Sequence, residues 1–166
     1  MPYPNSFIFI VFMIVFFPKQ ITAQENPPIP LNVQVSTAQF LNFGSFAVDN
    51  GVGTVSVDAN GTRAWTGDVK LLNSGTTVSP ALFDVYANPG TLVNIMHDSQ
   101  FTLNGSSGQT LTLEINSYST GKTFITNAAS EIPNPVYVGG TLNIGPLSAN
   151  GAGNYSGSFT LTFIQE

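Results

Sequence analysis

The chain has 166 residues, 42% of them apolar and only 8% charged, with a formal net charge of −5 and no cysteine. That length suits one domain, and so little charge excludes a charge-rich disordered chain or a coiled coil. The four basic residues, Lys19, Arg63, Lys70 and Lys122, are scattered, so no nucleic acid partner is expected, because phosphate contacts need clustered Lys and Arg.

Residues 7–17 read FIFIVFMIVFF, an unbroken apolar run. It is short of the roughly 20 residues that span a bilayer, and it fits the apolar region of a secretory signal peptide. The polar stretch PKQITAQ follows, with small residues at Thr22 and Ala23. We read residues 1–24 as a cleavable signal peptide, which leaves no membrane span in the mature chain. Residues 25–30, ENPPIP, form a proline-rich lead, expected to be extended.

From Leu31 the pattern becomes one of strands. Leu31, Val33 and Val35 alternate with Asn32, Gln34 and Ser36. QFLNFGSFAV (39–48) is aromatic-rich around Gly44, and Asn50-Gly51 is a hairpin signal. GTVSVDANG (53–61) is a short strand ending in a second Asn-Gly turn. Further strands are expected at 63–72, 81–87, 91–97, 101–105, 109–118 and 134–145. The last stretch, GNYSGSFTLTFIQE (153–166), reads as one strand, with Tyr155, Gly157, Phe159, Leu161 and Phe163 on one face and hydroxyl or amide residues on the other. Ala128 to Glu131 has room for one helical turn at most. Turn signals recur about every 8–12 residues with no helical period, so residues 31–166 are expected to form one all-β domain, a sandwich or small barrel.

Catalytic signatures are weak. STGKT (119–123) resembles the end of a phosphate-binding loop, but Asn116 stands where that motif needs its first Gly, and a strand-end turn is the simpler reading. His97, the single histidine, lies in MHDS; neighbours on one strand point to opposite faces and do not form a catalytic relay, so an exposed turn residue is expected. The acids are well separated, without the facing carboxylates of a glycosidase. DANGTRAW (58–65) departs from a calcium-binding EF-hand loop at Thr62 and Arg63. No enzyme activity, cofactor or metal is expected. Asn60, Asn104 and Asn154 each begin an Asn-X-Ser/Thr sequon and are read as turn and strand residues. Trp65, the single tryptophan, is a core or half-core residue on one reading and a ligand contact on the other.

Three pieces in order, LNFGSF (41–46), VGGTLNIG (138–145) and GNYSGSFTLTF (153–163), resemble a family of small secreted bacterial domains of unknown function. That family is similar to spore coat protein U and to the pilin subunits of archaic chaperone–usher systems. The resemblance implies an immunoglobulin-like, pilin-like antiparallel β-sandwich in the periplasm or on the cell surface. It also implies a fold that lacks a last strand, with the gap beside the terminal strand filled by a periplasmic chaperone and later by another copy of the chain. Leu31, Val33, Val35, Phe159, Leu161 and Phe163 are then the candidate strand-exchange rows. The chain departs from the pilin pattern in having no cysteine and only a short lead before Leu31. The 29–35 stretch either donates to a neighbour or completes its own domain. The expected function is that of a secreted structural or surface protein, with a carbohydrate or surface-ligand module as the alternative.

Overall fold

The computed structural model describes residues 29–36 and 39–166. The signal-peptide reading of 1–24 and most of the proline-rich lead lie outside the described residues. The described chain is all-β, without a helix, and its strand pairings are antiparallel. No helix among the described residues is long and apolar enough to cross a membrane.

Eleven strands follow one another: β1 (Asn32–Val35), β2 (Ser45–Val57), β3 (Arg63–Leu72), β4 (Ala81–Tyr86), β5 (Leu92–Met96), β6 (Phe101–Gly105), β7 (Thr110–Tyr118), β8 (Thr123–Ile125), β9 (Asn134–Ile144), β10 (Tyr155–Ser156) and β11 (Thr162–Gln165). The larger sheet runs β1-β4-β9-β7-β6-β10, with β2 also paired to β9 and β3 to β2. The smaller sheet runs β11-β5-β8. Their inward side chains form one cluster. Val55, Val85, Val136 and Val138 come from the larger sheet, and Val93, Ile95 and Phe124 from the smaller. Each fully buried valine or isoleucine stabilises the fold by roughly 1.5–3 kcal/mol before entropy is counted.

The alternation in the sequence marks the inward face in most strands. In β4 and β7 every second residue is buried, at Ala81, Phe83 and Val85 and at Leu111, Leu113 and Ile115. Two elements depart from the expectation. Asn50-Gly51 makes no hairpin: β2 runs straight through it, with a register shift against β3 between Val48 and Gly53. The hairpin turn is instead the second Asn-Gly. Asp58 Oδ1 accepts from the amides of Asn60 (2.9 Å) and Thr62 (2.7 Å), and Gly61 has φ +81°. The second departure is β8, a three-residue strand too short to carry a periodic signal. STGKT is the turn that leads into β8, with Gly121 at φ +83°.

The β2–β3 ribbon is folded back on itself. Ser45 is opposite Leu72 at one end, and Val57 opposite Arg63 at the other. In a straight hairpin these ends lie about 30 Å apart. Yet Arg63 Nη2 donates to the Ser45 carbonyl at 2.5 Å and Nη1 to the Leu72 carbonyl at 3.4 Å. The bend falls at the paired glycines Gly53 and Gly67. A Cβ on Gly67 would lie 2.2 Å from the Val52 carbonyl oxygen, and Gly67 has φ +66°, so glycine is required twice over.

Gly67→Ala is therefore expected to destabilise the protein by more than the roughly 1–3 kcal/mol of an unfavourable backbone conformation alone. Gly75→Ala, at φ +79° but facing open space, gives the conformational part alone. Urea midpoints of the two variants measure the difference; equal losses would mean that the ribbon bend tolerates a side chain.

Candidate functional site

The fold-back leaves a cleft over the inner face of the larger sheet. Its floor is the half-buried Leu103 of β6 with the buried Leu111 and Leu113 of β7 and Leu142 and Ile144 of β9. One wall is the stretch Leu41–Val48, which brings Phe43 and Phe46; the other is the stretch Asn150–Gly157 with Phe159. The cleft has a volume of about 660 Å³. Leu147, 51% exposed, stands at one end, in a loop tied to β2 by its amide on the Asp49 carbonyl (3.4 Å).

Both walls present backbone without a strand partner. Ser45–Val48 pairs with β3 on one side, and among the described residues no strand pairs with its other side. Residues 157–161 lie between β10 and β11 and belong to neither. Unpaired backbone beside an apolar floor is a template for an added strand.

The terminal stretch, expected as one strand, is divided between the two sheets. Tyr155 and Ser156 pair with Gly105 and Asn104 of β6. Thr162–Gln165 pairs with Met96 to Val93 of β5. The crossing starts at Gly157, where a Cβ would lie 2.7 Å from both Leu103 Cδ2 and the Thr102 carbonyl oxygen. The expected facing survives the break: Phe159, Leu161 and Phe163 pack against the core, while Thr160, Thr162 and Ile164 are exposed. Phe163 lies against Phe83 with ring centroids 5.6 Å apart, and Phe159 against Phe83 and Phe101 at 6.3 and 5.9 Å.

The leading row is placed within its own chain. β1 pairs with β4, Asn32 opposite Tyr86 and Val35 opposite Phe83. Leu31 and Val33 are half-buried against the core; the side chain of Val35 lies outside the described residues. The structure thus separates the two candidate rows. Phe159 lines the cleft; Leu161 and Phe163 of its row, and Leu31 and Val33 of the leading row, do not. The cleft residues that the sequence reading did not single out are Phe43, Phe46, Leu103 and Leu147. Nothing in the local pattern distinguishes them from core, because the cleft exists only through the ribbon bend.

Trp65 is 55% exposed. It is directly opposite the buried Val55, so both share the core-side face, but β3 is an edge strand with nothing paired beyond it. His97 is half-buried rather than exposed. Its Nδ1 meets the Asp98 carbonyl at 2.7 Å and its Nε2 bonds the Tyr118 hydroxyl, joining the end of β5 to β7. Burial pushes the Tyr118 hydroxyl above its ordinary pKa. Desolvation lowers that of the Arg63 guanidinium, whose Nε is shut off from solvent without a partner. Among the described residues no group of three His, Asp or Glu side chains converges as a metal would need. Asp58, considered for calcium, holds its own turn.

Phe159→Ala removes two ring contacts from the cleft wall and is expected to cost about 2 kcal/mol, less than a fully buried phenylalanine because the ring is half-exposed. Thr160→Ala, on the wet face, is expected to change stability by no more than about 0.5 kcal/mol. Thermal melts of the pair check that the alternation still assigns faces across the break.

A protein-family model described as a domain of unknown function, DUF4402, matches residues 33–164. No curated protein and no solved structure matches the chain significantly. The match takes in every strand from β2 to β10 and most of β1 and β11, including both walls and the floor of the cleft. The chain belongs to the DUF4402 family.

Proposed function

We infer that the protein is a secreted, non-enzymatic structural protein of a bacterial surface, an immunoglobulin-like, pilin-like sandwich that assembles by strand addition. The observation that carries this reading is the cleft: an apolar floor of five leucine and isoleucine side chains between two stretches of unpaired backbone. A strand laid there meets backbone groups on both sides, which set its register, and places alternate side chains on the floor. The work is done by backbone edges and apolar rows and needs no catalytic side chain. Secretion is supported by the apolar run at 7–17, and a periplasmic chaperone or a second copy of the chain is the source of the strand.

β1 narrows the choice of donor. It already fills an edge of its own larger sheet, with Leu31 and Val33 against its own core. Donating it to a neighbour would strip that edge, so the added strand comes from elsewhere in the assembly. A second reading, a module for carbohydrate or another surface ligand, is favoured by the exposed Trp65. Iodide quenching of its fluorescence reads that exposure directly.

Mature protein recovered from its native surface or medium is expected to run on denaturing gels as a ladder that collapses to monomer on boiling. Phe46→Asp and Leu147→Asp, at the wall and the end of the cleft, are expected to abolish the ladder while far-ultraviolet circular dichroism still reports a folded β protein. A single monomer band from the unaltered protein, boiled or not, would rule out assembly by strand addition.

A further inference from the structure

The outer face of the larger sheet carries a second, different surface. Thr66, Thr54, Asn143, Thr112 and Thr102 lie opposite one another in one row across five adjacent strands, β3, β2, β9, β7 and β6. The row ends in a shallow trough of about 600 Å³ where Gly53, Gly67 and Gly145 contribute no side chain. Across β3, β2, β9 and β7 the trough is about 14 Å wide.

The lining contains no ionisable side chain. Glu114, in the row next to Thr112, is held by the amides of Asn143 (3.0 Å) and Gln100 (3.1 Å). Fixing the Asn143 nitrogen on Glu114 leaves the amide oxygen of Asn143 as a free acceptor. The Thr54 and Thr66 hydroxyls bond each other at 2.7 Å, and each keeps capacity for a further bond. Among the described residues the hydroxyls of Thr110 and Thr112 have no partner. Asn150 braces one end, accepting from the Gly145 amide at 2.5 Å and donating to the Thr110 carbonyl at 2.6 Å. The trough is therefore a preorganised, uncharged set of hydroxyl and amide groups on a rigid sheet.

We propose that this trough binds a neutral polyhydroxylated chain, an unbranched uncharged oligosaccharide. An anion finds no cation there, and a cation finds no free carboxylate. An apolar ligand would leave the hydroxyls unpaired, at a cost. An added peptide strand needs a free sheet edge, and this is a face. A sugar chain presents a donor and acceptor hydroxyl at each ring, which suits the row of threonine and asparagine groups across the strands. The row of Thr66, Thr54, Asn143 and Thr112 is on the opposite face of the sheet from Trp65 and the cleft floor, and only Ile144 and Asn150 border both the trough and the cleft.

The test titrates the mature protein with cellohexaose, chitohexaose and maltohexaose, and with a heparin hexasaccharide as the charged control, by calorimetry and by amide shifts in nuclear magnetic resonance spectra. At least one neutral hexasaccharide is expected to bind in the micromolar to millimolar range, with the largest shifts at Thr54, Thr112 and Asn143. Thr110→Arg, an exposed position, and the double variant Thr112→Val with Asn143→Leu are each expected to weaken binding at least about tenfold, a change of about 1.4 kcal/mol. Trp65→Ala is expected to leave it unchanged. The shifts in the unaltered protein locate the site even if the double variant fails to fold. Absence of binding at millimolar sugar overturns the proposal. So does binding confined to the heparin fragment, or binding lost in Trp65→Ala and kept in Thr110→Arg.

Discussion

Strand β9 is the element on which the rest of the structure depends. Its first half pairs with β4 and its second half with β2, both on the same edge, while β7 runs along the other. Two strands can share one edge only if one stops where the other begins, and the exchange falls at Val138–Gly140. There a Cβ on Gly139 would lie 2.1 Å from the Val57 carbonyl oxygen, and a Cβ on Gly140 would lie 2.6 Å from the Glu114 carbonyl oxygen. β7 adjusts on the other edge with an irregularity between Ile115 and Ser117. The adjacent glycines thus let three backbones close on a fourth, and they set where β2 enters the sheet.

Where β2 enters fixes where it must leave. Only Gly53–Val57 pairs with β9, so the earlier half of the strand is carried off the sheet with β3 still attached. The bend at Gly53 and Gly67 turns it over the core, and Arg63 ties the two ends together through carbonyls rather than carboxylates. Arg63 takes part in this tie at the expense of its own solvation, which is the cause of its lowered pKa. The cleft is the space that this folded ribbon and the terminal stretch fail to fill between them. The register of β2 on β9 also aligns Thr54 with Asn143, which places the hydroxyl row on the outer face while the ribbon folds over the inner one.

The sequence made the strands and their faces legible, and it hid the connections between sheets. Period-2 alternation marked the inward residues of β4, β7 and the terminal stretch because burial on one face requires it, whatever the strand pairs with. It also kept Phe159, Leu161 and Phe163 on one side through a change of sheet, since the alternation responds to the core and not to the ladder. For the same reason it was blind to the change itself. Asn50-Gly51 misled because glycine in a strand serves a bend or close approach as readily as a hairpin. For Trp65 the sequence left a core and a ligand-contact reading open, and the structure puts it on the core-side face yet 55% exposed. His97 read as a turn residue because its partner Tyr118 is remote in sequence.

The pairing of β1 with β4 bears on how strand addition can work at all. An edge strand of four residues with two half-buried side chains contributes on the order of a few kcal/mol. A subunit that withdrew β1 to donate it would lose that contribution and expose the flank of Phe83 and Val85, for a gain of similar size in its neighbour's cleft. Such an exchange has little net driving force. A strand that is not already part of a sheet carries no such loss, and its whole contribution appears as affinity. Under the proposed strand addition, the cleft would select by what a donor must give up as much as by the fit of its side chains.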